Sequence, residues 1–156
     1  MEGLDCEFYQ YRPLGSDQIR LLEVEPCADS GASVFCTLQH YTHEHLDDIV
    51  VRGIRKKQYE TLSYTWGGPL PDSAHLTDLI FIDGQPFRVT SNLNQALKRF
   101  RQLNIYGKMI WVDALCIDQD HLDERSQQVS KMDNMYWNSR NTMIRQRATL
   151  LSPMQA

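Results

Sequence analysis

A chain of 156 residues is long enough to bury one ordinary core and too short for two. Its 42% apolar and 23% charged composition excludes a disordered or fibrous protein, and a net charge of −4 gives no global attraction to nucleic acid or anionic membrane. No apolar run approaches the roughly 18 residues of a membrane span. The start, MEGLDCEFYQ, lacks the basic and apolar regions of a secretory signal, and Cys6, Cys27, Cys36 and Cys116 form no C-x-x-C pair. They read as reduced thiols in a cytoplasmic or nuclear chain.

In chain order, IRLLEVEP (Ile19–Pro26) predicts a strand ended by Pro26 and the small residues ADSGAS. SVFCTLQHY (Ser33–Tyr41) predicts its partner, with Val34, Cys36 and Leu38 alternating against Phe35, Thr37 and Gln39. THEHLDDIVVRGIRKKQ reads as a polar connection with room for a helical turn. YETLSYTWGG (Tyr59–Gly68) begins as a strand and breaks at Gly67-Gly68-Pro69. LIFIDGQPFRVT predicts a hairpin turning at Asp83-Gly84, with Pro86 marking an edge strand. SNLNQALKRFRQL predicts a helix capped by Ser91 or Asn92, with Leu93, Ala96, Leu97, Phe100 and Leu103 at helical spacing. KMIWVD is a short strand that ALCIDQD leads out of. Asp120 is the expected N-cap of a last helix, about His121 to Trp137, with Leu122, Val129, Met132 and Tyr136 as its inner stripe. The mixed order gives an α/β (α+β) class: one domain, a short mixed sheet flanked by helices.

Three of these stretches, YETLSYTWGG, FRVTSNLNQALKRFR and IWVDALCIDQDHLDERSQQVSKMDNMY, resemble the heterokaryon incompatibility (HET) domain family of filamentous fungi. YRPLGSDQIRLLEVEP resembles the usual lead-in to that domain. The resemblance implies a lead-in over 1–18, a domain over 19–139 and a divergent tail over 140–156. It also implies a role in non-self recognition and programmed cell death, and a distant similarity to TIR-type domains, some of which cleave NAD. Two departures stand out. Asp118 occupies a position where the family usually has Asn. After MYWNSR the family usually runs into an apolar strand ending in a Trp-Leu-Gly-like turn, whereas this chain reads NTMIRQRATLLSPMQA. With Arg140, Arg145 and Arg147 around Met143 and Ile144, that segment is expected to add no strand beside MIWVD. The domain is then expected to be truncated at its C-terminal end, to leave an open sheet edge, and to be inactive alone.

Candidate chemistry gathers between Ile110 and Met132. Asp113, Asp118, Asp120, Asp123 and Glu124 can supply a general base or hold a ribose or metal; Asp113 and Glu124 are the candidate catalytic acids. An aspartate closing a short strand suits such a role, because ligand sites in α/β sheets lie beyond the strands' carboxyl ends. The plainer reading is that Asp118 and Asp120 terminate structure while Asp123 and Glu124 favour a helix N-terminus. Arg125 shares the helix face of Leu122 and Val129, so it is expected to pair with Asp113 or Asp118. Cys116 has no base nearby in sequence and reads as packing. Ser63, Tyr64, Trp66 and Gly67 line the same corner as a possible ligand or structural motif, and Gln119 completes it. The glycines after Trp66 lack phosphate-loop spacing. His40, His43 and His45 with Cys36 match no zinc pattern, so no metal is expected. RGIRKKQ lacks the aromatic interleaving of a nucleic-acid site. No cofactor is implied, NAD entering only as a substrate. The expected partners are another protein or a second copy, with no nucleic acid and no membrane. Two functions stay open: a signalling module acting by association, and a TIR-like NAD-hydrolysing effector.

Overall fold

A computed structural model describes residues 7–42, 50–51, 54–55, 59–64, 76–103, 109–138 and 142–145. In chain order the strands are β1 Gln18–Val24, β2 Phe35–Thr42, β3 Val50–Val51, β4 Ile54–Arg55, β5 Tyr59–Tyr64, β6 Asp78–Ile82, β7 Gln85–Val89, β8 Met109–Trp111 and β9 Thr142–Arg145. The helices are α1 Ser91–Leu103, α2 Asp113–Cys116 and α3 Leu122–Asn138. Seven strands form one mixed sheet in the order β7-β6-β2-β1-β8-β5-β9, while β3 and β4 pair as a separate short ladder. The α/β class and single small domain expected from the pattern are both present.

The sheet is organised around β1. It pairs antiparallel with β2 along its whole length, from Gln18 opposite Thr42 to Val24 opposite Cys36. On its other side Leu22 and Glu23 pair with Ile110 and Met109 of β8. Successive side chains of a strand point to opposite faces. Ile19 and Leu21 therefore face one way and Arg20, Leu22 and Val24 the other, yet all five are buried. A strand covered on both faces cannot show polar alternation, which is why IRLLEV reads as a near-continuous apolar run. β2 is buried on one face only: Val34, Cys36 and Leu38 are inside and Phe35 is exposed, as its alternation predicts.

Beyond β2, β6 runs parallel to it, and the Phe81 and Asp83 N–H groups donate to Val34 and Cys36 carbonyls at 2.9 Å. Asp83 and Gly84 both take positive φ, 51° and 82°, the geometry of a tight two-residue hairpin turn. Pro86 lies on β7, an edge strand as expected, and its carbonyl accepts the Tyr9 N–H at 3.1 Å. On the other flank β5 runs parallel to β8, and β9 runs parallel to β5.

Several expectations change. The segment expected to add no strand supplies β9, with Thr142 opposite Thr61 and Arg145 opposite Tyr64, so it joins the sheet beside β5 rather than beside β8. Helix α1 is capped one residue earlier than expected, by Thr90, whose Oγ1 accepts the Leu93 N–H at 3.2 Å. Leu93, Ala96, Leu97 and Phe100 of α1 are buried, but Leu103 is 53% exposed and Arg101 takes the inner position. The Arg101 guanidinium donates to the carbonyls of Asp29, Ser30, Ala32 and Ser33 at 2.9 to 3.3 Å, tying the β1–β2 connection to the end of α1.

The hairpin turn gives a direct test. No heavy atom lies within 4 Å of the position a Gly84 side chain would take, so Gly84→Ala meets no clash and pays only for its left-handed backbone. We expect a loss of about 1 kcal/mol in urea unfolding with an unchanged slope. Asp83→Asn, better suited to positive φ, is expected to be neutral or slightly stabilising.

Candidate functional site

Strands β5, β8 and β9 are mutually parallel, so their carboxyl ends lie at one end of the sheet, the end where α/β folds gather ligands. Ser63 and Tyr64 close β5. Asp113 follows β8 after the single residue Val112 and opens α2, a single helical turn. Residues 117–121 then lead into α3. His121, rather than Asp120, caps that helix: its Nδ1 accepts the Glu124 N–H at 3.1 Å. Asp118 Oδ1 accepts the Asp120 N–H at 3.2 Å, a local turn that reverses the chain.

At the centre of this corner lies Arg20, which is fully buried. Its guanidinium forms a two-pronged ion pair with Glu124, whose Oε1 meets Nη1 and whose Oε2 meets Nη2 at 3.1 Å. Nη1 also donates to the Cys116 carbonyl at 3.2 Å and Nη2 to the Arg12 carbonyl at 2.7 Å. The Tyr11 ring lies 4.8 Å from the guanidinium carbon, and the Tyr11 hydroxyl donates to the Leu115 carbonyl at 2.8 Å. Glu124 Oε1 accepts in addition the Asp118 N–H at 3.1 Å. Burial works against ionising Glu124, but the Arg20 hydrogen bonds and the Asp118 N–H outweigh it and hold the carboxyl below its ordinary range. One charge pair thus joins the N-terminal segment, β1, α2, the 117–121 turn and α3.

The residues singled out in the sequence occupy this corner in unequal ways. Asp113 is half-buried, with Oδ1 accepting the Ala114 N–H at 2.8 Å. Gln119 turns its amide inward, donating to the Asp113 carbonyl at 2.9 Å. Cys116 is buried, its Sγ 3.5 Å from the Val112 nitrogen, and burial pushes its thiol up to about 12. No thiolate is available there at neutral pH. Ser63 and Tyr64 are placed by backbone only, and Trp66 and Gly67 lie outside the described residues. His40 is half-buried in β2, while His43 and His45 lie outside the described residues.

Arg125 corrects the reading of α3. It is exposed, as are Leu122 and Val129 of the supposed inner stripe. The buried positions are Glu124, Gln128 and Met135, with Met132 packed against the core. Gln128 Nε2 donates to the Gln18 carbonyl at 3.2 Å, and the Tyr59 hydroxyl donates to the Met135 carbonyl at 2.8 Å. The buried face is therefore turned by one residue from the expected one, because its first half is polar. Arg20 and Tyr11 were not among the candidates; a lone arginine inside an apolar strand was the available signal.

With this geometry established, comparison with known proteins places the chain. Residues 59–150, more than half of it, match the family described as heterokaryon incompatibility protein (HET). The chain belongs to the HET family. It is 28% identical over 140 residues to Heterokaryon incompatibility protein 6, OR allele, of Neurospora crassa, a match covering 83% of this chain and 18% of that relative. The chain thus spans less than a fifth of the relative's length. No solved structure matches it. The HET match contains β5, α2, the 117–121 turn, α3 and β9, so Glu124 lies inside it and Arg20 outside.

Two predictions follow from the ion pair. Arg20→Met leaves a buried carboxylate without its cation and is expected to cost about 3–5 kcal/mol in chemical unfolding at pH 7. Arg125→Met, at an exposed site, is expected to stay within about 0.5 kcal/mol. Because folding lowers the Glu124 pKa, its contribution is complete above the ordinary value of 4.5 and is lost as pH falls through the lowered one. Glu124→Gln should then be less stable than wild type at pH 7 and lose less stability on acidification below pH 4.5, as read from unfolding midpoints against pH.

Proposed function

We propose that this HET domain acts in heterokaryon incompatibility as a non-catalytic signalling module, promoting programmed cell death through contact with another protein. The observation that carries this reading is the state of Glu124 and Cys116, two of the groups the sequence offers for chemistry. Glu124 has both oxygens engaged by Arg20, and the Cys116 thiol is buried and protonated. A TIR-like cleavage of NAD calls for an acid able to meet a ribose, and a carboxylate locked to a buried guanidinium is poorly placed for that role. Contact, by comparison, needs only exposed apolar surface. Leu122 and Val129 of α3, 72% and 52% exposed, lie seven residues apart and so on one helix face. No helix among the described residues is long and apolar enough to cross a membrane.

The test has two arms. Purified chain incubated with NAD is expected to leave the nucleotide intact by chromatography. Because β9 joins the sheet, the ground for expecting the chain to be inactive alone falls away; in a filamentous fungus, expression is expected to arrest growth, and the pair Leu122→Asp and Val129→Asp is expected to relieve the arrest. Both positions are exposed, so the fold should remain within about 0.5 kcal/mol per substitution. Stoichiometric turnover of NAD by the pure protein would overturn the non-catalytic reading.

A further inference from the structure

We infer that the folding unit carrying the HET match begins upstream of it. The segment 59–150 presents an acceptor site for a strand pair, and residues 7–42 of this chain are its occupant. The sheet order carries the argument. β1 and β2 stand between β6 and β8, so among the described residues of 59–150 the hairpin β6–β7 has no ladder to the strands β8 and β5. Helix α1, which packs on both β5 and β6, is what would be left to span the gap.

The acceptor site is chemically specific. It offers the open edge of β8, which pairs antiparallel with Leu22 and Glu23. It also offers the carbonyls of Leu115 and Cys116 at the end of α2, and the buried carboxylate of Glu124. The complementary occupant is an antiparallel strand with an apolar run on both faces and one guanidinium, followed by a second strand able to receive β6. Residues 7–42 have all of these. They reach along the opposite sheet edge through the Tyr9 N–H to Pro86, and along α3 through the Ser16 and Gln18 carbonyls, which accept from Lys131 and Gln128. They supply eight of the 24 buried apolar side chains among the described residues. Without them Glu124 would lose the guanidinium that both its oxygens meet. The similarity to the Neurospora relative is consistent with this boundary: it covers 83% of the chain, more than residues 59–156 can supply.

Native-state hydrogen exchange on the full chain tests the inference. If residues 7–42 and 59–145 form one cooperative unit, the hydrogen-bonded amides of β1 exchange through the same global opening as those of β5 and β8. Their protection should agree within about tenfold, with a shared dependence on denaturant. Arg20→Met should lower protection in β1, β5 and β8 by a common factor. A β1–β2 pair that opens more than tenfold more often than β5 and β8 overturns the inference. So does an Arg20→Met effect confined to β1 and β2.

Discussion

The constraint on which the architecture depends is that a guanidinium sits where no water reaches it. A charge in that position costs several kcal/mol unless it is paired and its donors are satisfied. Arg20 lies on the central strand of the sheet, so its partners must come from whatever covers that strand. Glu124 provides the charge and the Cys116 and Arg12 carbonyls provide further acceptors, from three separate parts of the chain. The Tyr11 ring closes the remaining side and adds a cation–π attraction of about 2 kcal/mol for a desolvated pair. The contacts of Arg20's two terminal nitrogens therefore fix the relative positions of five structural pieces, while Nε is left without a partner among the described residues. Breaking the pair would leave one stranded charge at the point where all of them meet.

A second guanidinium repeats the principle without a carboxylate. Arg101, at the end of α1, gathers four carbonyls of the β1–β2 connection. Carbonyl dipoles at the end of an irregular segment are acceptors that no ladder satisfies, and a forked donor with five N–H groups meets several together. The two arginines thus hold opposite ends of the same strand pair. Arg20 anchors the start of β1 to α3, and Arg101 anchors the β1–β2 connection to α1. The strand pair is clamped from both ends by side chains with distant partners: Cys116 and Glu124 lie 96 and 104 residues from Arg20, and the carbonyls that Arg101 meets lie 68 to 72 residues from it.

How far the sequence revealed this depends on what kind of signal each element carries. Period-2 alternation and turn chemistry are local, so β2, the β6–β7 hairpin and its Asp83-Gly84 turn are readable from the residues themselves. The apolar spacing of α1 is equally local, and its inner residues follow it. Helix α3 is different. Its apolar residues are few and scattered, and the face it buries begins with Glu124 and Gln128, whose partners are strand residues more than a hundred positions away. Periodicity in hydrophobicity cannot mark a face that is buried through hydrogen bonds, and the apolar rule placed Arg125 inside when its neighbour Glu124 belongs there. β9 was missed for a related reason. Arginines flanking Met143 and Ile144 argue against a fully buried strand, but β9 lies at the sheet's margin, with β5 as its neighbour. The order of strands, with β1 inserted between β2 and β8, is a long-range fact with no local trace.

The family motif itself takes on a different meaning in this light. In CIDQ, Cys116 and Ile117 are core residues, Asp118 turns the chain through its side-chain oxygen, and Gln119 folds back onto the Asp113 carbonyl. Asp118 and Gln119 are thus explained by bonds that shape the turn between β8 and α3, and Cys116 and Ile117 by burial. The departure at Asp118, where the family usually has Asn, fits the same account. The Asp120 N–H needs only an oxygen acceptor two residues back, and a carboxylate supplies one as well as an amide does. The Asp118 backbone N–H, which is independent of its side chain, is the donor that reaches Glu124. A position that must donate through its backbone and accept through its side chain tolerates either residue. A stretch dense in carboxylates can therefore be the signature of a joint: Asp118 turns the chain into α3, and Glu124 carries the charge that meets Arg20.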